Sequence, residues 1–443
     1  MSEHGVGGAP SRRTVLKVLG GTSVTALAGL AGCSSSGGTT SQRSGRSSRT
    51  SQASTSSSSA TSSADSGTIT VGFLHPLSGP FAGLGKAEQK GAKVAIDHVN
   101  TDLGGVDGHQ VKAIYEDTAG DPSIGRSKAR KLVENDNADV LIGAVSGAVS
   151  LSVAEYAASA KTIYFPYGGS EDITGKDCKP TTFRYQYSAS QSANAGAEWS
   201  LNNLGKNVWI HYADYSFGQS IKNTWEAAMK GSGLDYDVVK VTKTKVGTSD
   251  FSSYISQIKA SKADWVLQAF SGSDAINFLK QAKQYGMTDS VDVMSTVNAY
   301  QPLRQGAGSA AVGTYSLIRY NRKYDSPANE KLVTAFTNAY DAPPTDFALN
   351  MWSALLLYRD GVQQAGSHAT SDVVSALEGL RSKQPMGPVT LRECDHQALR
   401  DYPVGKIISP TDYEWPDLKI LTTKKAGEIT PSCASKDCSM PSL

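Results

Sequence analysis

The sequence predicts an α/β protein of two doubly wound, parallel-sheet lobes, and three observations predict it. From residue 68 onward short β-rich runs alternate with amphipathic helical runs, the pattern of parallel sheets with crossover helices. Several of those runs, such as "ADVLIGA" (138–144) and "DWVLQAF" (264–270), are nearly continuous in apolar residues, as strands covered on both faces require. The alternation also repeats too often for one domain of ~100–200 residues, and the chain has 443 residues.

The elements follow in order. "TITVGFLH" (Thr68–His75) reads as a strand, ended by Pro76 and a glycine-rich turn. A helix is predicted over Lys86–Asn100, because Ala87, Gly91, Ala92, Ala95, Ile96 and Val99 recur at helical spacing on one face. "HQVKAIYED" is the next strand, and Pro122 opens a helix to about Glu134, proline being favoured in a first turn. "ADVLIGA", a small-residue helix over Ser150–Ala160, and "TIYFPYG" continue the pattern. "TFRYQYS", a helix near Ala193–Leu204, "NVWIHYA", a helix near Gly218–Lys230, "YDVVKVTK", a helix near Tyr254–Ala260, "DWVLQAF", a helix near Asp274–Tyr285 and "SVDVMST" come next. "GTYSLIRY" (Gly313–Tyr320) reads as a further strand, followed by helices near Ala328–Tyr340, Asp346–Gln364 and Ser371–Leu380. "PVTLRE" and "YPVGKIIS" are late β-rich pieces, and the tail after Lys424 is expected to be irregular.

The segment before residue 68 reads as an address and a tether. Arg12-Arg13, then an uncharged run over Val18–Ala31 too short for a bilayer, describe an export signal. The paired arginines resemble a twin-arginine signal, with Val15 where that motif usually has Phe. Leu30-Ala31-Gly32-Cys33 resembles a lipobox, which implies cleavage before Cys33 and a diacylglyceryl group on its thiol. From Ser34 to Ser66 about half the residues are serine. Such a segment buries too little to offset its ordering entropy and reaches ~30 Å as a flexible coil. Residues 1–32 are thus expected to be the signal and 33–67 a lipidated, disordered tether. They would hold the rest of the chain at the outer face of the cell membrane.

Composition excludes some partners. A net charge of +2 carries no basic excess for nucleic acid, and no later segment is apolar enough to cross a membrane. Setting Cys33 aside, Cys178, Cys394, Cys433 and Cys438 remain. An even number in an exported chain suggests disulfides, with three connectivities open.

Catalytic and phosphate-binding motifs fail on spacing. "LSGPFAGLGK" has Pro80 where a phosphate loop needs its first glycine, and Ala87 where it needs Ser or Thr for magnesium. There is no G-x-S-x-G elbow and no H-E-x-x-H. Cys394 and His396 lie two residues apart, which is neither a catalytic nor a zinc spacing. No enzyme activity, cofactor or metal is therefore expected.

The informative turns are "HPLSGPFAGLG", "GAVSGAVS", "PYGGSED", "HYADYSFGQ" and "FSGSDA", all at the carboxyl ends of predicted strands. Open α/β sheets bind ligands there. Helix-start N–H groups and the helix dipole favour an anion such as a carboxylate. Tyr215 and Phe217 offer ring surface and Asp274 a negative charge.

The runs "TITVGFLHPLSGPFAGLGKAEQKGAKVAIDHVN", "YEDTAGDPSIGRSKARKLVENDNADVLIG", "HYADYSFGQS", "DFSSYISQIKASKADWVLQAFSGSDAINFLKQAKQYGM" and "CDHQ" resemble, in order and spacing, the branched-chain amino acid and amide group of solute-binding proteins. These are type I periplasmic binding folds that serve ABC importers. The likeness runs from Thr68 to about Ser409. It implies two lobes joined by three crossings near Arg184, Tyr320 and Val389, with the ligand between them. The first lobe would hold 68–186 and 319–388, the second 187–318 and 389–425, and 426–443 would be tail. The resemblance puts the ligand carboxylate on Ser146 or Gly147 and on Gly169 and Ser170. It puts an aromatic cover on Phe217, an acid for a ligand ammonium on Asp274, and a ring-bearing position on Leu84. Asp274 is a methylene shorter than the usual Glu, and Gly147 stands where a hydroxyl is common. Gly120 and Ser146 hold the places of the disulfide found in the best-known members. Cys178 and Cys394 each flank an expected crossing and are expected to pair.

The expected function is capture of an amino acid, amide or small carboxylate by a monomeric, lipid-anchored protein that delivers it to an ABC transporter permease. The alternative is a sensor that reports its ligand to another membrane protein.

Overall fold

The computed structural model describes residues 67–435, 437–440 and 443. The expected signal, the tether up to residue 66 and Cys33 lie outside the described residues.

The first sheet is wholly parallel, in the order β2-β1-β3-β4, and consists of β1 (Thr68–His75), β2 (Gln110–Asp117), β3 (Val140–Gly143) and β4 (Ile163–Pro166). Every residue of β3 and β4 is buried, which is why their sequences run apolar without alternation. Around this sheet lie α1 (Ala82–Thr101), α2 (Pro122–Glu134) and α3 (Gly147–Ser159). The second lobe repeats the unit with α4 (Ala189–Asn203), β5 (Asn207–Ala213), α5 (Ser216–Gly231), β6 (Asp237–Thr244), α6 (Ser252–Lys259), β7 (Trp265–Ala269), α7 (Gly272–Gln284), β8 (Asp292–Ser295), α8 (Gln301–Ala307) and β9 (Tyr315–Leu317).

The chain then returns to the first lobe through α9 (Pro327–Tyr340), α10 (Asp346–Ala365) and α11 (Thr370–Leu377). Helix α10 packs on α1, where a Cβ on Gly91 would come 2.3 Å from the Ala348 Cα. Only glycine lets the two backbones approach so closely. A small antiparallel sheet follows, made of β10 (Arg381–Gln384), β11 (Gly387–Leu391) and β12 (Ala398–Leu399). Strands β13 (Tyr402–Ile408) and β14 (Asp417–Lys424) complete the second sheet, whose order is β14-β13-β9-β8-β7-β5-β6. Helix α12 (Ala426–Ile429) follows, and a short 3-10 turn over Cys433–Ser435 lies beyond it. No helix among the described residues is long and apolar enough to cross a membrane.

In both sheets the first strand lies between the second and third, so each carries a switch point where strand order reverses. The passages between the lobes run side by side. Arg184 N donates to His396 O at 3.0 Å, Ala398 N to Arg184 O at 2.9 Å, and Ile318 N to Pro403 O at 2.8 Å. The run "TFRYQYS", expected as a strand, is one of these passages. Its alternation is real, but Phe183, Arg184, Tyr185, Gln186 and Tyr187 are all buried. Its ladder contacts are the single bridges Tyr164↔Thr182 and Arg184↔Gln397.

The expected Cys178–Cys394 disulfide is corrected. Cys178 pairs with Cys438 and Cys394 with Cys433, at Cα separations of 5.6 and 6.1 Å. The reason lies in the tail, which is not irregular throughout. Asn194 Nδ2 donates to Ile429 O at 2.9 Å, Gln191 Nε2 to Thr430 Oγ1 at 3.0 Å, and Arg392 Nη1 to Pro431 O at 2.6 Å. These bonds lay the tail back along α4 and the passages, within reach of both inner cysteines.

Candidate ligand-binding cleft

The turns at the carboxyl ends of six strands meet between the lobes around a small space of about 20 Å³. The turn after β1 supplies Phe81, that after β3 Val145, and that after β4 Tyr167 and Gly169. From the second lobe, the β5 turn and the start of α5 supply Tyr215 and Phe217, the β7 turn Ser271, and the β8 turn Val297 and Tyr300. Arg319, on the passage after β9, completes the lining.

Of the residues expected from sequence, Gly169, Tyr215 and Phe217 line this space. Ser146, Gly147 and Ser170 gather beside it, where the lobes touch. A Cβ on Gly147 would lie 2.9 Å from the Ser170 Cβ and 3.1 Å from Ser216 Oγ of the second lobe. Ser170 Oγ is 3.1 Å from Ser220 Oγ on α5. Leu84 is buried in the core near the start of α1 and is not part of the lining. Asp274 is also off the lining. Its carboxylate accepts from Gly247 N, at 3.2 and 2.9 Å to the two oxygens, and burial raises its pKa against those bonds.

Arg319, Tyr167, Tyr300, Phe81 and Ser271 were not singled out from sequence. Arg319 is buried, its Nε donates to Tyr402 Oη at 3.0 Å, and its guanidinium lies 5.1 Å from the Tyr300 ring centroid. Its Nη2 has no partner. A cation within the apolar run "SLIRY" was the available signal. Ser271 Oγ is likewise buried without a partner, although Ser271 is the N-cap of α7. Buried polar groups are rarely left unpaired, so such atoms ask for a reason.

The lining itself carries one formal charge, that of Arg319, opposed by the Asp346 carboxyl outside the lining. Helices α3, α5 and α7 begin at the cleft, and none has a side-chain hydrogen bond at its N-cap. Their free N–H groups and dipole ends add to the Arg319 charge and favour an anion. Burial raises the phenol pKa values of Tyr167, Tyr215 and Tyr300, so these rings stay neutral. Asp346 lies behind Tyr167, whose hydroxyl donates to its Oδ2 at 3.3 Å. Among the described residues no group of three His, Cys, Asp or Glu could hold a metal ion.

Residues 68–412 match the family model described as "Periplasmic binding protein". The chain belongs to that family. Its members are substrate-binding proteins of ABC transport, not enzymes, and act outside the cytoplasm. A curated relative, "Leu/Ile/Val-binding protein homolog 3" of Brucella melitensis, is 25% identical over 80% of this chain and 93% of its own length. Among solved structures, an amino acid ABC transporter substrate-binding protein from Pseudomonas fluorescens superposes with a TM-score of 0.76 at 22% identity, covering 84% of this chain and 99% of the other. A solute-binding protein of an ABC transporter from Rhodopseudomonas palustris, solved with 3,4-dihydroxybenzoic acid, gives 0.74 at 22% identity over 81% and 98%. Both confirm the type I periplasmic binding fold.

Proposed function

We propose that this periplasmic binding protein captures a small solute with a carboxylate or comparable polar head in the interlobe cleft and delivers it to an ABC importer. The observation that carries the reading is the unpartnered, buried Arg319 Nη2, in a space bounded by residues of both lobes. A solute bound there touches both lobes and favours their closed arrangement, because some of its contacts exist only in that state. The amino acid and aromatic-acid proteins among its structural neighbours support a small carboxylate. The lobes are taken as 68–186 with 319–388, and 187–318 with 389–425, except that β11 stays whole with its partner β10. The protein works as a monomer, held at the outer membrane face by lipid on Cys33.

Two experiments test this. A thermal-shift screen of amino acids, amides and small carboxylates should find a solute that raises the melting temperature. If no solute in a broad screen does so, capture is refuted. Cys33→Ser should move the protein from the membrane to the soluble fraction, and a variant that stays fully membrane-bound refutes the anchor.

A further inference from the structure

Capture of a carboxylate leaves its chemical class open, and an inference about that class rests on the capture proposed for this cleft. Three features of the lining narrow the choice.

The first is a fixed cation. Tyr402 holds Arg319 Nε and the Tyr300 ring lies along the guanidinium, leaving Nη2 free beside Gly169. A Cβ on Gly169 would lie 3.9 Å from that nitrogen and 3.1 Å from the Phe217 ring, so glycine keeps the approach open. A planar guanidinium matches a carboxylate better than a neutral amide.

The second is what the lining lacks. Its ten residues include no Asp or Glu. Asp274 is occupied by Gly247 N, and Asp346 stands behind Tyr167. An α-ammonium would be desolvated there without an opposite charge, a costly arrangement.

The third is shape. Phe81 and Tyr215 have ring centroids 6.2 Å apart, and Tyr215 and Phe217 5.9 Å. The space left between them is about 20 Å³, well below the ~300–1,000 Å³ of ligand sites, so the lobes part to admit a solute. Ring walls in a small space suit one flat apolar body. Ser271 Oγ adds a second unpaired polar atom to the same space.

We infer that the ligand is an aromatic monocarboxylate without an ammonium group, its carboxylate on Arg319, its ring among Phe81, Tyr215 and Phe217, and a ring hydroxyl on Ser271.

Calorimetry on the purified protein tests this with 4-hydroxybenzoate, 4-hydroxybenzamide, benzoate, L-phenylalanine and L-leucine. The acid should bind roughly ten- to a hundredfold more tightly than its isosteric amide, the range expected for a charge-assisted hydrogen bond. L-Phenylalanine and L-leucine should show no binding under the same conditions. Arg319→Gln should abolish the preference for acid over amide, and Ser271→Ala should weaken 4-hydroxybenzoate but not benzoate. The acid–amide comparison uses the unmodified protein, so it stands even if the arginine variant fails to fold. Binding of L-leucine or L-phenylalanine as tight as that of 4-hydroxybenzoate overturns the inference while leaving solute capture intact. Equal affinity for acid and amide overturns it too, as does failure of all five probes to bind.

Discussion

Ser170 Oγ lies 3.1 Å from Ser220 Oγ, and the two serines belong to opposite lobes. Ser220 Oγ also accepts from Glu171 N at 3.1 Å. The pair is a clasp that exists only when the lobes meet, not a ligand contact. Ser170→Ala should therefore weaken ligand binding through closure, by the ~0.5–1.5 kcal/mol of a neutral hydrogen bond, or about two- to tenfold. Calorimetry on Ser170→Ala, Ser220→Ala and the double variant would show non-additive losses. Additive losses, or a hundredfold loss in Ser170→Ala alone, would mean that Ser170 holds the ligand instead.

Gly272 marks a second point of approach. Its φ is +67°, and a Cβ there would sit 2.6 Å from Pro80 O and 3.1 Å from the Phe81 ring, both of the first lobe. Gly272→Ala carries the ~1–2 kcal/mol strain of a left-handed residue and wedges the lobes apart. Affinity should fall by more than tenfold, and unchanged affinity by calorimetry would show that the lobes do not close at this point.

The disulfide pattern is checked by non-reducing peptide mapping, which should yield peptides joining Cys178 to Cys438 and Cys394 to Cys433. Because the first bridge spans 260 residues of sequence, replacing both its cysteines by serine should cost about 2–4 kcal/mol of unfolding free energy. A peptide joining Cys178 to Cys394 would restore the sequence-based expectation.

Asp346 makes stability depend on pH. Burial raises its carboxyl to about 6, against the opposing pull of Arg319 and Arg304, while in the unfolded chain it titrates near ~3.9. A group whose pKa is raised by folding contributes stability that is complete below the unfolded value and is lost as pH rises through the folded one. The loss should fall between pH ~4 and ~6 and amount to ~3 kcal/mol. Asp346→Asn should flatten that part of the profile in urea unfolding at a series of pH values. A variant that keeps the full slope would show that other groups cause it.

Strands such as "ADVLIGA" and "DWVLQAF", and the face of α1, were legible because burial on both sides or on one face leaves a local pattern. The turns that build the cleft were legible too, since they follow from where the strands end. Arg319 was not. Its burial depends on Tyr402 and Tyr300, which come from distant segments, and no local period encodes that meeting. Asp274 was placed at the start of α7, but only the fold shows that Gly247 reaches its carboxylate first. The tail cysteines failed for a similar reason. Helix α12 is a short turn whose position depends on Gln191 and Asn194 of α4. Strand β14 alternates weakly because it lies at the edge of its sheet.

The central claim is that a solute bound between the lobes holds them closed. Small-angle X-ray scattering of the purified protein, alone and saturated with a solute that raises its melting temperature, tests it most directly. The radius of gyration should be smaller with solute bound, and the contraction should be weaker in Gly272→Ala at equal solute concentration. A radius that stays the same while calorimetry shows the site filled would contradict the claim.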